Sequence, residues 1–225
     1  MGLDTVSPAV LVYRLVGQMA QRSNTKEGIL EAACRLISLK GFHHTSLDDI
    51  LRESNVGKGN FYYYFKSKEE LGYAMLDRMM ASYREGILAP ILKEGGDPLR
   101  QIAEFLSRIV DAQRDRGCIG GCAMGNLAIE LSDVHEGFRQ RLAEIFDSWR
   151  RAIERHLDMA RQQGQLDPMT DPRAMAGFLL AVVEGGILLG KVTKDPGILE
   201  ACVDQLKRSL APLFEERALV PHGRR

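Results

Sequence analysis

Lys58, Asn60, Tyr62 and Tyr63 fall within six consecutive positions of the segment NVGKGNFYYYFKSKEEL (55–71), with Lys66 and Lys68 close behind. Lysine donates to guanine O6 and N7, asparagine pairs with the N6 and N7 edge of adenine, and tyrosine hydroxyls donate to phosphate oxygens. Phe61 and Phe65 lie four apart, so on one helix both face a core while Tyr62 and Tyr63 point away from it. Tyr64 is ambiguous. On composition alone, an aromatic micro-core accounts for the three tyrosines as well as a nucleic-acid face does. Charge does not separate the two, because residues 20–70 hold eight basic and seven acidic side chains. Only the arrangement favours nucleic acid, with Lys58, Lys66 and Lys68 gathered around the tyrosines.

The second chemistry-bearing pair is Cys118 and Cys122, in GCIGGCAMGNLAIELSD (117–133). Gly117, Gly120 and Gly121 leave room beside the start of a helix expected from about Ala123 to Ser132, where the helix dipole lowers a thiol pKa. Cys122 at that start is therefore a candidate reactive thiolate. The opposing reading is two small residues buried where helices cross, since free cysteine is among the most buried residue types. Three residues separate Cys118 from Cys122 and twelve separate Cys122 from His135, but the second histidine of a zinc site is missing and Glu136 is wanted for a helix cap. No metal and no cofactor is expected. The C-x-x-C redox spacing is missed by one residue, and no G-x-S-x-G, Walker A, H-E-x-x-H or dinucleotide fingerprint occurs, so no enzyme is expected.

The elements that must position these residues are all helical. Asn24 with Glu27, Thr45 with Asp48, Ser67 with Glu70 and Asp133 with Glu136 read as N-terminal caps. Asp97-Pro98, Asp171-Pro172 and Asp195-Pro196 repeat one start signal, an acceptor followed by a proline whose missing N–H costs nothing there. Period-2 strand patterning is absent, and the punctuation gives about nine helices and an all-α fold. Residues 23–66 read as three short helices with tight turns, and 67–215 as a bundle of long helices. Residues 1–22 form an N-terminal extension and 216–225 a basic tail. The long helix opening at Ser67 is expected to fade before residue 93.

Short helix, tight turn, short helix is the geometry that places one helix in a DNA major groove. Lys58, Gly59 and Asn60 then form its base-reading first turn, and Gly59 removes a side chain where the helix approaches the duplex. The stretch GFHHTSLDDILRESNVGKGNFYYYFKSKEEL (41–71) resembles the DNA-binding signature of the TetR family of transcriptional regulators. The resemblance implies a homodimer on double-stranded, pseudo-palindromic operator DNA and an all-helical C-terminal ligand and dimerisation domain. Carried over by position, it implies contacts to base methyls or phosphate from Tyr62, Tyr63 and Lys68, and to phosphate from Thr45 and Ser46. Gly57 stands where many members have a serine cap, so that cap-to-phosphate contact is missing. Met19 opens MAQRSNTKEGIL, where many relatives begin. Residues 1–18 are thus read as a mis-assigned start, an arm along DNA or a lid.

The stretch around Cys122 more weakly resembles a TetR branch in which a cysteine senses oxidants or electrophiles. A small-molecule pocket inside the bundle has Tyr83, Phe105, Cys122, Met124, Trp149, Phe178 and Glu184 as candidate lining. Leu179, Val182, Val183, Leu206, Leu210 and Phe214 offer self-complementary apolar faces for a dimer interface across the last two helices. Two rivals stay open: a helical thiol enzyme or carrier built on Cys118 and Cys122, and a DNA-binding protein with no effector.

Composition sets the outer bounds. Over 225 residues, 45% hydrophobic and 27% charged with a net charge of zero, any DNA affinity must come from a local patch. Four sparse cysteines do not make a disulfide scaffold, and no uninterrupted apolar run nears the roughly 18 residues of a membrane span. The expectation is a cytoplasmic protein with no membrane partner.

Overall fold

The computed structural model describes residues 25–210, and among these it has ten helices and no strand. They are α1 (Thr25–Lys40), α2 (Leu47–Ser54), α3 (Lys58–Tyr64), α4 (Lys68–Gly86), α5 (Ala89–Leu92), α6 (Pro98–Asp115), α7 (Ala123–Leu131), α8 (Glu136–Gln162), α9 (Pro172–Thr193) and α10 (Gly197–Leu210). The all-α expectation holds. The additional helix is the four-residue α5, just after α4 ends at Gly86. The expectations for residues 1–22 and 216–225, and the cap at Asn24, lie outside the described residues.

The caps explain most helix starts. Asp97 accepts from Arg100 N–H at 2.7 Å, and Asp171 from Arg173 and Ala174 N–H at 2.9 and 3.2 Å, each followed by proline in the first turn. Ser67 Oγ accepts from Glu70 N–H at 3.1 Å ahead of α4, and Glu70 reaches back to Lys66 N–H at 2.7 Å. Two starts differ from expectation. The box opening α2 is Ser46 with Asp49, one residue later than Thr45 with Asp48, because Thr45 is fully buried and donates to Gly41 O at 2.7 Å. Ahead of α8, His135 Nδ1 accepts from Phe138 N–H at 3.4 Å, while Glu136 turns to Arg139 and Gln140.

The chain divides into two compact units. The first runs up to Gly86 and takes in Cys122–Ala143; the second is Ile87–Gly121 with the residues from Glu144 onward. This division falls after Gly86, whereas the sequence suggested residue 66. A three-helix core of about 40 residues is too small to seal itself, and α4 and the 122–143 segment complete it. Gly72 on α4 is the close-approach point: a Cβ there would lie 2.5 Å from the Phe138 ring and 2.9 Å from Phe42. Phe42 and Phe138 meet edge to face at 4.9 Å, and Tyr73 stacks on Phe138 at 4.7 Å. Ile29, Ile50, Phe61 and Leu71 are fully buried in the same unit.

In the second unit α10 packs on α9 and α6. Its core includes Ile102, Leu106, Ile153, Leu157, Leu179, Val183, Leu199 and Val203. Gly186 brings α9 onto α10, since a Cβ there would meet the Leu199 side chain at 2.8 Å.

Candidate nucleic-acid interface

Helix α3 is seven residues long, and the aromatics of α3 and its C-cap divide by exposure. Phe61 is fully buried and Phe65 is 2% exposed, whereas Tyr62 and Tyr63 are 52% and 81% exposed. Lys58, Gly59 and Asn60 are exposed in its first turn. Five of the eight expected DNA-contacting residues are therefore exposed on this one short helix. The turn that delivers them ends α2 at Asn55, whose left-handed φ of 53° asparagine tolerates better than most residues. Gly57 has an ordinary φ of −73° and caps α3 with no side-chain bond, as its missing hydroxyl requires. A Cβ added at Gly57 or Gly59 would meet nothing within 4 Å, so the surface there is open.

The other three expected contacts are placed differently. Thr45 is buried, and its hydroxyl is spent on Gly41 O; it does not reach a phosphate. Lys68 Nζ donates to Phe42 O at 2.5 Å and sits 4.3 Å from the centre of the Phe42 ring. Partial burial pulls its pKa down, opposed by the Glu130 and Glu69 carboxylates. Its ammonium is thus engaged with the turn between α1 and α2. Ser46 is exposed, but its hydroxyl both accepts from Asp49 N–H at 3.0 Å and donates to the Asp49 carboxylate at 2.7 Å. The hydrogen bonds from Ser46 hold the Asp49 carboxyl below the usual carboxylate range.

Sequence reasoning missed Glu130, in the last turn of α7. Its carboxylate accepts from Phe42 N–H at 2.8 Å and His43 N–H at 2.6 Å, on the turn between α1 and α2. The available signal was its position as the one acidic residue in AMGNLAIEL.

The thiols separate by environment. Cys122 is the N-cap of α7, with Sγ accepting from Gly125 N–H at 3.3 Å, and is 5% exposed. Cys118 is 2% exposed with a left-handed φ of 57°. Burial, reinforced by Glu31, pushes the Cys34 thiol up to about 12, which leaves it protonated and inert at neutral pH. Among the described residues no group of three or more His, Cys, Asp or Glu is placed to hold a metal.

Of the other candidate pocket residues, Phe105, Met124 and Trp149 are buried, and Tyr83 and Glu184 are partly exposed. Phe178 is 52% exposed and does not face inward, because α9 turns Leu179 to the core instead. A cavity of about 550 Å³ opens between α5 and the start of α6, lined by Pro90, Lys93, Asp97, Arg100, Gln101, Glu104 and Arg108 among others. None of the candidate pocket residues lines it.

The expected interface residues are also redistributed. Leu179, Val183, Leu206 and Leu210 are buried within the chain, where α9 and α10 pack together, so they are unavailable to a second copy. Val182 is partly exposed, and Phe214 lies outside the described residues. The exposed apolar side chains of α9 are Phe178, Leu188, Leu189 and Val192. By length and composition α9 is also apolar enough to cross a membrane, although Glu184 interrupts its apolar run.

Two family models match successive parts of the chain, and the second runs through the 122–143 segment that packs with the first unit. Residues 29–75 match the family "Bacterial regulatory proteins, tetR family", and residues 98–206 match "Tetracyclin repressor-like, C-terminal domain". An uncharacterised HTH-type transcriptional regulator from Lactococcus lactis is 38% identical, over 86% of this chain and 96% of its own length. The HTH-type transcriptional regulator LmrA of Bacillus subtilis is 33% identical, over 82% and 98%. The crystal structure of the reduced form of Escherichia coli NemR, an HTH-type transcriptional repressor, superposes with a TM-score of 0.75 at 27% identity, covering 83% of this chain and 96% of that one. Together these matches identify the chain as a transcriptional regulator belonging to the tetR family.

Proposed function

We propose that this regulator is a repressor that binds a palindromic operator as a homodimer and leaves it when a small-molecule or thiol-reactive effector binds. The observation that carries the reading is the face of α3, where Lys58, Asn60, Tyr62 and Tyr63 are exposed over buried Phe61 and Phe65. A helix that buries two rings and exposes two tyrosines beside a lysine and an asparagine has paid a hydrophobic cost that base and phosphate contacts offset. Relatives named as repressors support the sign of regulation.

Dimerisation is supported by α9. Only a third of its most apolar window is buried in the chain. Phe178, Leu188, Leu189 and Val192 recur at helical spacing, and Gly185 beside them has open space where a Cβ would be. The opposite face, with Ala176, Leu179, Val183 and Ile187, is already packed. What is left is a stripe suited to one matching helix, not a circumference suited to lipid. Cys122 is the thiol-sensing candidate, because modification there removes the sulfur acceptor that caps α7. The relative solved in a form described as reduced supports a redox-responsive reading.

The test is binding to a duplex that the wild-type chain selects from a random-sequence library. Lys58→Ala and Tyr63→Ala are expected to keep the fold and weaken binding by roughly tenfold or more, the scale of losing a direct DNA contact. Unchanged binding in both removes α3 as the reading helix. In the same assay an alkylating reagent is expected to release wild type but not Cys122→Ser; equal release assigns the effector response elsewhere.

A further inference from the structure

We propose that Glu130 is a positioning residue for operator binding, fixing the turn through which α2 and α3 are presented to DNA. The inference rests on the DNA-binding reading above. Glu130 lies 87 and 88 residues from the amides it holds, so the contact is tertiary. Its two oxygens divide between adjacent N–H groups, Oε2 on Phe42 at 2.8 Å and Oε1 on His43 at 2.6 Å. An ionised carboxylate on two neighbouring amides sets orientation as well as distance.

The rest of the turn is fixed just as fully. Gly41 N–H completes α1 on Ile37 O at 2.8 Å. Gly41 O accepts from Thr45 Oγ1 at 2.7 Å, and Phe42 O accepts from Lys68 Nζ at 2.5 Å. Glu130 and Lys68 thus grip opposite polar sides of one backbone segment from α7 and α4. Gly41 has two reasons to be glycine. Its φ is +88°, and a Cβ there would lie 2.8 Å from Glu130 Oε2. The turn ends at Ser46, the cap of α2, and α2 passes through Asn55 and Gly57 into α3. A pivot in this turn therefore changes where Lys58 and Tyr63 arrive on the duplex without changing either side chain.

Stability alone does not require the contact. The head is held together by Ile29, Ile50, Phe61 and Phe65, each at most 2% exposed. Removal of one half-buried carboxylate leaves that core intact and frees the turn. Gln is the sharpest replacement: it keeps the shape but offers one acceptor and presents an N–H₂ group to the second amide.

The experiment uses the full chain, the selected duplex and a random-sequence duplex of equal length. Glu130→Gln and Glu130→Ala are expected to retain wild-type helicity and to bind the selected duplex about tenfold more weakly, as befits a lost charged hydrogen bond. The dependence of binding on salt should flatten, because fewer phosphates are met at once. Amide exchange should accelerate at Phe42 and His43 and stay slow in α2 and α3. A purely structural role would instead lower the active fraction and leave the affinity and salt slope of folded molecules unchanged, which overturns the inference. If wild type selects a sequence and Glu130→Gln binds it equally well, the inference falls alone. If wild type selects none, the DNA-binding reading falls and takes the inference with it.

Discussion

Gly59 separates contact from stability better than any other residue of the reading face. Its φ is ordinary and a Cβ would meet nothing within 4 Å, so alanine fits without strain. In a helix that change is worth about 0.5–1 kcal/mol in favour of folding. Gly59→Ala is therefore expected to raise the thermal midpoint slightly while weakening operator binding, if the backbone approaches the duplex there. Higher stability with undiminished binding would show that DNA does not come close at this position. Lys58, Asn60, Tyr62 and Tyr63 were legible in the sequence because their exposure follows from two phenylalanines four apart. Thr45, Lys68 and Glu130 were not, because the groups that claim them are backbone atoms of Gly41, Phe42 and His43, brought near by packing rather than by spacing.

At the scale of elements, helix starts read well where the cap is local. The Asp-Pro signals at Asp97 and Asp171 became caps as written, and the box at α2 moved one residue because the core claimed Thr45. Faces read poorly where both sides of a helix are apolar. On α9, Leu179 and Val183 went inward and Phe178 and Leu189 outward, a choice that α10 makes and α9's own sequence does not. Helix α8 carries a pH-dependent element in its buried His156, 3% exposed. Ala152 O lies 3.0 Å from Nδ1 and, as an acceptor, fixes the proton there, while Nε2 has no partner among the described residues. Burial pulls the His156 pKa down, with Arg155 adding to it. The unfolded chain thus takes up the proton first. Stability from this group is complete above about pH 6.5 and falls as pH drops through the folded pKa. The thermal midpoint should decline on acidification from pH 7 to about 5.5, and His156→Leu should flatten that decline. An identical slope in the variant would remove His156 as its source.

At the scale of the molecule, the all-helical class and a DNA-reading first part were visible in the sequence, but the division of the chain was not. Segment 122–143 belongs with the first unit although nearly a hundred residues separate its start from Thr25 at the head of α1, and no local pattern announces such a return. The central claim is that two copies of the α3 face read two half-sites. Two-fold symmetry in the protein demands two-fold symmetry in the DNA, with half-site centres about 34–36 Å apart or a multiple of that. Selection of random-sequence duplexes by the wild-type chain, followed by sequencing of the bound pool, measures this directly. The account predicts an inverted repeat at that spacing, lost from the pool selected by Tyr63→Ala. A pool with no enriched sequence, or a single unpaired half-site, would contradict it.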